Sequence, residues 1–148
     1  MKKIEARLIQ SNLTHQIRHT VLWPHKKQER CSIQEDLLED TFHVGVFLDN
    51  KLVSIGTFIK IENEFFEKKN QQYRLRAMGT SKEYRKQSMG KELILFAKNI
   101  LIKKNVKILW CDARKEAIDF YQKLGFKTNG NYYKIPIIGL HKLMYLYL

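Results

Sequence analysis

Residues 72–111 read QYRLRAMGTSKEYRKQSMGKELILFAKNILIKKNVKILWC, and this stretch decides the fold. From Gln72 to Thr80, Tyr73, Leu75 and Ala77 fall on one face and Met78 lies near the end, as in a strand. A basic loop follows, and a helix is predicted to start near Ser88 or Met89. Its apolar face holds Leu93, Ile94, Ala97, Ile100 and Leu101, and Asn105 suits its end because asparagine tolerates the left-handed backbone found there. Val106 to Cys111 is short and apolar and reads as a buried strand.

Upstream, Ile4, Ala6 and Leu8 alternate as in a half-buried strand. Ser11-Asn12 caps a helix in which Leu13, Ile17 and Val21 recur every four residues and Leu22 widens the stripe. Pro24 ends that helix at or before Trp23. Residues 24–41 read as a polar loop with a short helix around Ile33–Leu38. Phe42, Val44, Val46 and Leu48 alternate, Asp49-Asn50 turns the chain, and Leu52 to Ile61 alternates again, which makes an antiparallel hairpin. Residues 62–71 form a second polar loop. Downstream, Ala117, Phe120, Tyr121 and Leu124 have helical spacing, Gly125 stops that helix, and Phe126 followed by Leu143–Leu148 supplies the last strands. The order β α β β β α β α β β predicts an α/β fold: a mixed sheet with helices on both faces, in a single domain spanning 1–148.

Composition narrows the function classes. The chain has 148 residues, 44% of them hydrophobic, as globular proteins do and disordered ones do not. No apolar run approaches the roughly 20 residues that span a bilayer. Met1-Lys2-Lys3-Ile4-Glu5 lacks the apolar core of a signal peptide, so a cytoplasmic protein with no membrane partner is expected. Cys31 and Cys111 are far apart and in no CxxC pair, so neither a disulfide framework nor a metal site is expected. The net charge of +12, from 27 basic and 15 acidic residues, points to an anionic partner: nucleic acid, a phosphate-rich cofactor or a membrane surface. Eight of the basic residues lie between Lys82 and Lys107, opposed only by Glu83 and Glu92.

That basic stretch contains Arg85-Lys86-Gln87-Ser88-Met89-Gly90-Lys91 between a strand and a helix. Such a loop turns backbone N–H groups toward one point, and the helix start adds unpaired N–H groups and partial positive charge, so it can seat a pyrophosphate. Taken alone it is also an ordinary basic turn. The second segment, Ala117-x-x-x-Tyr121-x-x-Leu124-Gly125-Phe126, is likewise a core-facing helix with a glycine stop.

Together the two resemble the GNAT superfamily of acetyl-CoA-dependent N-acetyltransferases. Arg85-x-x-Ser88-x-Gly90 is similar to that family's coenzyme-A loop, Q/R-x-x-G-x-G/A, and the Tyr121 segment is similar to its A-x-x-x-Y-x-x-x-G-F helix and strand. Leu75-Arg76-Ala77-Met78, Trp110-Cys111-Asp112-Ala113-Arg114, Ile135-Pro136 through His141 and Met144, and Arg18-His19-Thr20-Val21-Leu22-Trp23-Pro24 extend the likeness over most of the chain and toward a small bacterial subgroup. The resemblance implies a sheet partly splayed between the parallel strands Gln72–Thr80 and Val106–Cys111, with the pantetheine arm of acetyl-CoA in the gap. It implies that Met78, Gly79 and Thr80 hold the arm and thioester carbonyl, that residues 85–91 hold the phosphates, and that Tyr121 protonates the leaving thiolate. A primary amine of a small molecule or peptide attacks directly. Ser88 stands where the family has glycine, which implies a slightly different backbone angle. Arg114 stands where many relatives have a cofactor-contacting asparagine and is expected to reach a phosphate or an acid.

The proton acceptor stays open among His43, His141, Glu62, Glu64 and water, as do the acceptor amine, the oligomeric state and the use of acyl groups other than acetyl. Glu35, Asp36, Glu39, Asp40, Glu62, Glu64 and Glu67 lie in the two loops expected to flank the acceptor, where they would attract an ammonium group. A basic nucleic-acid-binding module and a non-catalytic coenzyme-A sensor are the alternative readings. The first lacks an RRM, KH or helix-turn-helix signature, so no nucleic-acid partner is expected; the second is opposed by the presence of Tyr121.

Overall fold

A computed structural model describes residues 2–148 and joins seven strands into one mixed sheet in the order β1-β2-β3-β4-β5-β7-β6. The strands are β1 (Ile4–Ile9), β2 (Phe42–Leu48), β3 (Lys51–Ile59), β4 (Gln72–Thr80), β5 (Ile108–Arg114), β6 (Lys127–Ile135) and β7 (Gly139–Tyr147). The Asp49-Asn50 turn works as its residue types suggest, with both residues at positive φ. Strand β5 runs three residues beyond the expected end at Cys111. The last hairpin is longer than expected: β6 and β7 occupy 127–135 and 139–147, because residues 141–147 pair with the whole of β5 while Gly139 and Leu140 pair with β6.

Helices cover both faces. The helix α2 (Met89–Lys103) buries Met89, Leu93, Ile94, Ala97 and Leu101 against β1–β4, each of the larger four side chains contributing roughly 1.5–3 kcal/mol. The short α3 (Ile118–Lys123) lies on the same side. Both end in the same hydrogen-bonded cap. Asn105, at φ 61°, and Gly125, at φ 94°, take the left-handed position, while Val106 N donates to Leu101 O and Phe126 N to Tyr121 O. Gly56 marks this face, since a Cβ there would meet Leu93. Gly79 marks the other, since a Cβ there would meet Val21 and Leu22.

The opposite face carries the first helical segment, which departs from the expected regular helix. Ser11–Thr14 is a 3-10 turn, α1 (His15–Ile17) is brief, and Arg18–Leu22 is a π-helix. The change of pitch moves the buried stripe from Leu13, Ile17 and Val21 to Thr14, Ile17 and Arg18; Leu13 is half exposed. Arg18 is the cause. Its side chain is fully buried, donating Nη1 to Asp36 Oδ2 at 2.8 Å and to Cys31 O at 2.9 Å, and Nη2 to Asp36 Oδ1 at 2.7 Å and to Thr57 Oγ1 at 2.8 Å. Asp36 also accepts from Ile33 N. Burial would raise the Asp36 pKa, but Arg18 and the Ile33 amide outweigh it and hold the carboxyl below its ordinary value.

His43 completes this network. Its Nε2 reaches Asp36 O at 3.2 Å, and a carbonyl only accepts, so Nε2 bears the proton and Nδ1 accepts from Thr57 Oγ1 at 2.9 Å. Burial pushes the His43 pKa below its ordinary 6.5, only partly offset by Asp36.

Removing one member of a buried, hydrogen-bonded ion pair strands the other. Asp36→Ala is expected to cost about 3–5 kcal/mol in urea unfolding. A pH dependence follows as well. Above 6.5, His43 is neutral folded or unfolded. As pH falls below that value, the unfolded chain takes up a proton that the folded chain resists, and stability drops. Urea unfolding between about pH 7.5 and pH 5.5 is expected to show this slope in wild type and a shallower one in His43→Gln.

Candidate active site

Strands β4 and β5 are parallel partners over three residues only: Gln72 with Ile108, Tyr73 with Leu109 and Arg74 with Trp110. Beyond that point they part. Strand β5 stays paired with β7 as far as Arg114 and His141. Strand β4 stays with β3, where Arg76 opposes Thr57 and Gly79 opposes Ile55, so Ala77 and Met78 together face Gly56 in a β-bulge. Ala77 adopts φ 54°, an angle costly for alanine that nothing in its sequence context signals.

The fork opens into a cleft of about 220 Å³. Leu75–Met78 and Cys111–Arg114 form its two rails. Arg74 lies at the base of the fork, Tyr121 and Ala117 close one side, and Leu22, Trp23, Ile135, Ile138 and His141 line the remainder.

Tyr121 is held by its cap and by its neighbours. Its ring packs edge-on to Phe120 and tilted to Phe126, both at 5.1 Å. The hydroxyl lies 3.7 Å from Met78 Sδ across the fork and beside the Cys111 thiol. Burial first, then Cys111, raise its pKa well above the ordinary tyrosine value, so the hydroxyl keeps its proton. Burial likewise raises Cys111, which stays a thiol.

At the far end of β4, the loop 85–91 leads into α2. Lys86, at φ 61°, and Ser88, at φ 70°, are both left-handed. Ser88 therefore takes the angle a glycine would take, contrary to the different angle expected of it. It makes no side-chain cap, and the first intrahelical bond is Glu92 N to Ser88 O, so the N–H groups of Met89, Gly90 and Lys91 are free of the helix ladder. Gln87 Nε2 donates to Glu83 O, and Arg85 Nε donates to Thr80 O. Gly90 sits where α2 touches the cleft wall: a Cβ there would come within 2.9 Å of Phe120 and 3.0 Å of Met78.

The chain matches the acetyltransferase (GNAT) family over residues 10–126. It is 39% identical over 142 residues to the uncharacterized N-acetyltransferase YitI of Bacillus subtilis (strain 168), covering 96% of this chain and 95% of that one.

The chain belongs to the GNAT family.

It is an acyltransferase, of a family that uses acyl-CoA. The fold is shared with ElaA of Escherichia coli (TM-score 0.73, 17% identity, 98% of this chain and 99% of that one). It is also shared with an aminoglycoside 6'-N-acetyltransferase complexed with coenzyme A (TM-score 0.73, 14% identity, 97% and 96%). No helix among the described residues is long and apolar enough to cross a membrane.

Against this GNAT frame, the fork brings Met78, Arg114, Tyr121 and His141 to one cleft. Gly79 and Thr80 lie further along β4; Gly79 backs onto the first helical segment and Thr80 Oγ1 pairs with Ser54. His43 belongs to the Arg18 network, and Glu62 and Glu64 are exposed on a loop anchored elsewhere by Phe66 on Ile108 and Trp110. The acid-rich loops do not supply the cleft wall: none of the seven acids lines it, Asp36 is consumed by Arg18, and Glu35 touches Arg76 from outside. The wall instead contains Arg74, Arg76 and Asp112, none of them given a site role from sequence because each sits on a strand with ordinary alternation.

Gly90→Ala tests the contact between α2 and the wall. Alanine in a helix normally gains up to about 1 kcal/mol, yet the variant is expected to melt below wild type because overpacking costs about 1–3 kcal/mol. A stabilised variant would show that Phe120 and Met78 yield freely.

Proposed function

We propose that the protein transfers the acetyl group of acetyl-CoA to the primary amine of a small molecule or peptide by direct attack, with no covalent enzyme intermediate. The observation that carries this reading is the fork itself. Unpaired β4 backbone beside the bulge borders a gap that also holds a protonated tyrosine hydroxyl, and the free N-terminus of α2 follows on the same connection.

The residues fit the cosubstrate. The free N–H groups at the start of α2 suit a pyrophosphate, with Arg85, Lys86 and Lys91 adding charge and Gln87, Ser88, Met89 and Gly90 forming the turn. Met78, Gly79 and Thr80 border the arm along β4. Acetyl-CoA supplies an activated carbonyl carbon with a thiolate leaving group. As the new N–C bond forms and the C–S bond breaks, Tyr121 gives its hydroxyl proton to the departing sulfur, and its raised pKa keeps that proton available at neutral pH.

His141 accepts the amine's proton. It lines the cleft, and its Nδ1 lies 2.8 Å from Gly139 O; a carbonyl accepts only, so Nδ1 carries the hydrogen and Nε2 offers a lone pair. The phosphates of the cosubstrate would engage Arg85, Lys86 and Lys91, which gives part of the basic surplus of residues 82–107 a partner other than nucleic acid. We place the enzyme in the cytoplasm, in keeping with two free, buried cysteines.

Tyr121→Phe is expected to leave acetyl-CoA affinity nearly intact and to lower turnover by about 10² to 10⁴-fold, followed by thiol release. Unchanged turnover with chemistry rate-limiting would make Tyr121 a packing residue only.

A further inference from the structure

The wall of the cleft opposite α2 and α3 is cationic. Along β5, Leu109, Cys111 and Ala113 enter the core beneath α2 and α3, so the alternating Asp112 and Arg114 belong to the other face. Arg74 and Arg76 of β4 line the same cleft. Against these three guanidinium groups the lining holds one carboxylate, and it is already occupied. Asp112 accepts from Arg74 Nη2 at 2.8 Å and from the Tyr133 hydroxyl. Arg76 has only Glu35, whose two oxygens both lie 3.5 Å from Nη1, at the outer limit of hydrogen bonding. Arg114 donates to the neutral Leu22 O at 3.3 Å, and no carboxylate among the described residues forms an ion pair with it.

Two guanidinium groups are therefore left short of anionic partners in a partly enclosed site. Burial, then the adjacent Arg74, lower the Arg76 pKa, and Glu35 only partly opposes them. A cation in that setting gains when a ligand anion arrives. The cosubstrate's phosphates do not meet this demand, because the loop proposed to hold them, 85–91, is not part of this lining. The planar fork of arginine matches a carboxylate, and Arg76 and Arg114 border the cleft in which the acceptor must meet Tyr121.

We propose that the acceptor amine carries a carboxylate, received by Arg76 and Arg114, so that the enzyme acetylates amino acids or similarly small carboxylated amines. This rests on the acetyl-transfer reading above. It reverses the expectation that acidic loops draw in a simple cationic amine, and it assigns Arg114 to the acceptor rather than to the cosubstrate.

The test uses the full chain with saturating acetyl-CoA and follows thiol release. The acceptors are the standard amino acids, their carboxamides, the corresponding decarboxylated amines and the aminophosphonate analogues. At least one amino acid is expected to exceed its carboxamide and its decarboxylated amine by about 10-fold or more in kcat/KM, the scale of a charged hydrogen bond. Arg76→Gln and, separately, Arg114→Gln are expected to collapse that ratio toward one through KM, and Arg76→Lys is expected to retain part of it. Melting curves confirm that each variant is folded. Carboxamides or simple amines accepted equally well, phosphonates preferred, or the full ratio kept in both glutamine variants would overturn the inference. So would acetyl-CoA binding with no carboxylated amine acetylated, which leaves the cosubstrate reading standing. Failure of acetyl-CoA to bind would instead bring down the acetyl-transfer reading, and this inference with it.

Discussion

Past Arg74 and Trp110, β4 and β5 share no ladder hydrogen bonds, and the two strands find different partners for the rest of their length. Buried backbone groups need partners, and an unpaired strand edge is a template for an added strand. The β7 strand satisfies β5 throughout, whereas the β4 edge from Leu75 to Met78 faces the gap. An extended ligand arm with amide groups can complete that edge. The ion pair between Arg74 and Asp112 spans the fork just above the last paired residues and ties its two sides together. Other parts of the site are placed relative to this opening: Tyr121 reaches across it to Met78, and Gly90 lets α2 come close enough to support Phe120 behind Tyr121.

The second constraint is the buried Arg18. Its four donated hydrogen bonds join the first helical segment, the loop 31–36 and β3. That junction sets where Leu22 and Trp23 enter the cleft and where Glu35 meets Arg76. A π-helix places the arginine inside at the cost of regular geometry, as such irregular turns often do near functional sites. The structure thus separates two cationic regions. One is the exposed loop before α2; the other is the arginine wall of the cleft.

Local signals were legible in the sequence. The Asp49-Asn50 turn, the apolar face of α2, the left-handed caps at Asn105 and Gly125, and the succession of strands and helices along the chain all rest on residue types whose conformational preferences act over a few neighbours. Paired motifs around Gly90 and Tyr121 carried the family. What stayed hidden depends on tertiary pairing. Arg18 and Asp36 look like surface charges until the fold brings them together, and the bulge at Ala77 sits on a residue with no turn preference. Arg114 is marked by its place in the motif, but Arg76 sits on a strand of ordinary alternation and joins it in the cleft only through the parallel crossover, so no spacing in the chain announces the pair. The seven loop acids misled for the same reason, since composition does not say which way a loop folds.

Acetyl transfer by this chain requires that the fork and the loop before α2 together bind acetyl-CoA. Isothermal calorimetry of acetyl-CoA against the wild-type chain and against Ser88→Asp tests it most directly. Saturable one-site binding is expected for wild type, and much weaker binding for the variant, whose carboxylate would meet the phosphates at the start of α2. Absence of binding heat in the wild type at several temperatures, together with no shift of its melting temperature at saturating acetyl-CoA, would contradict it.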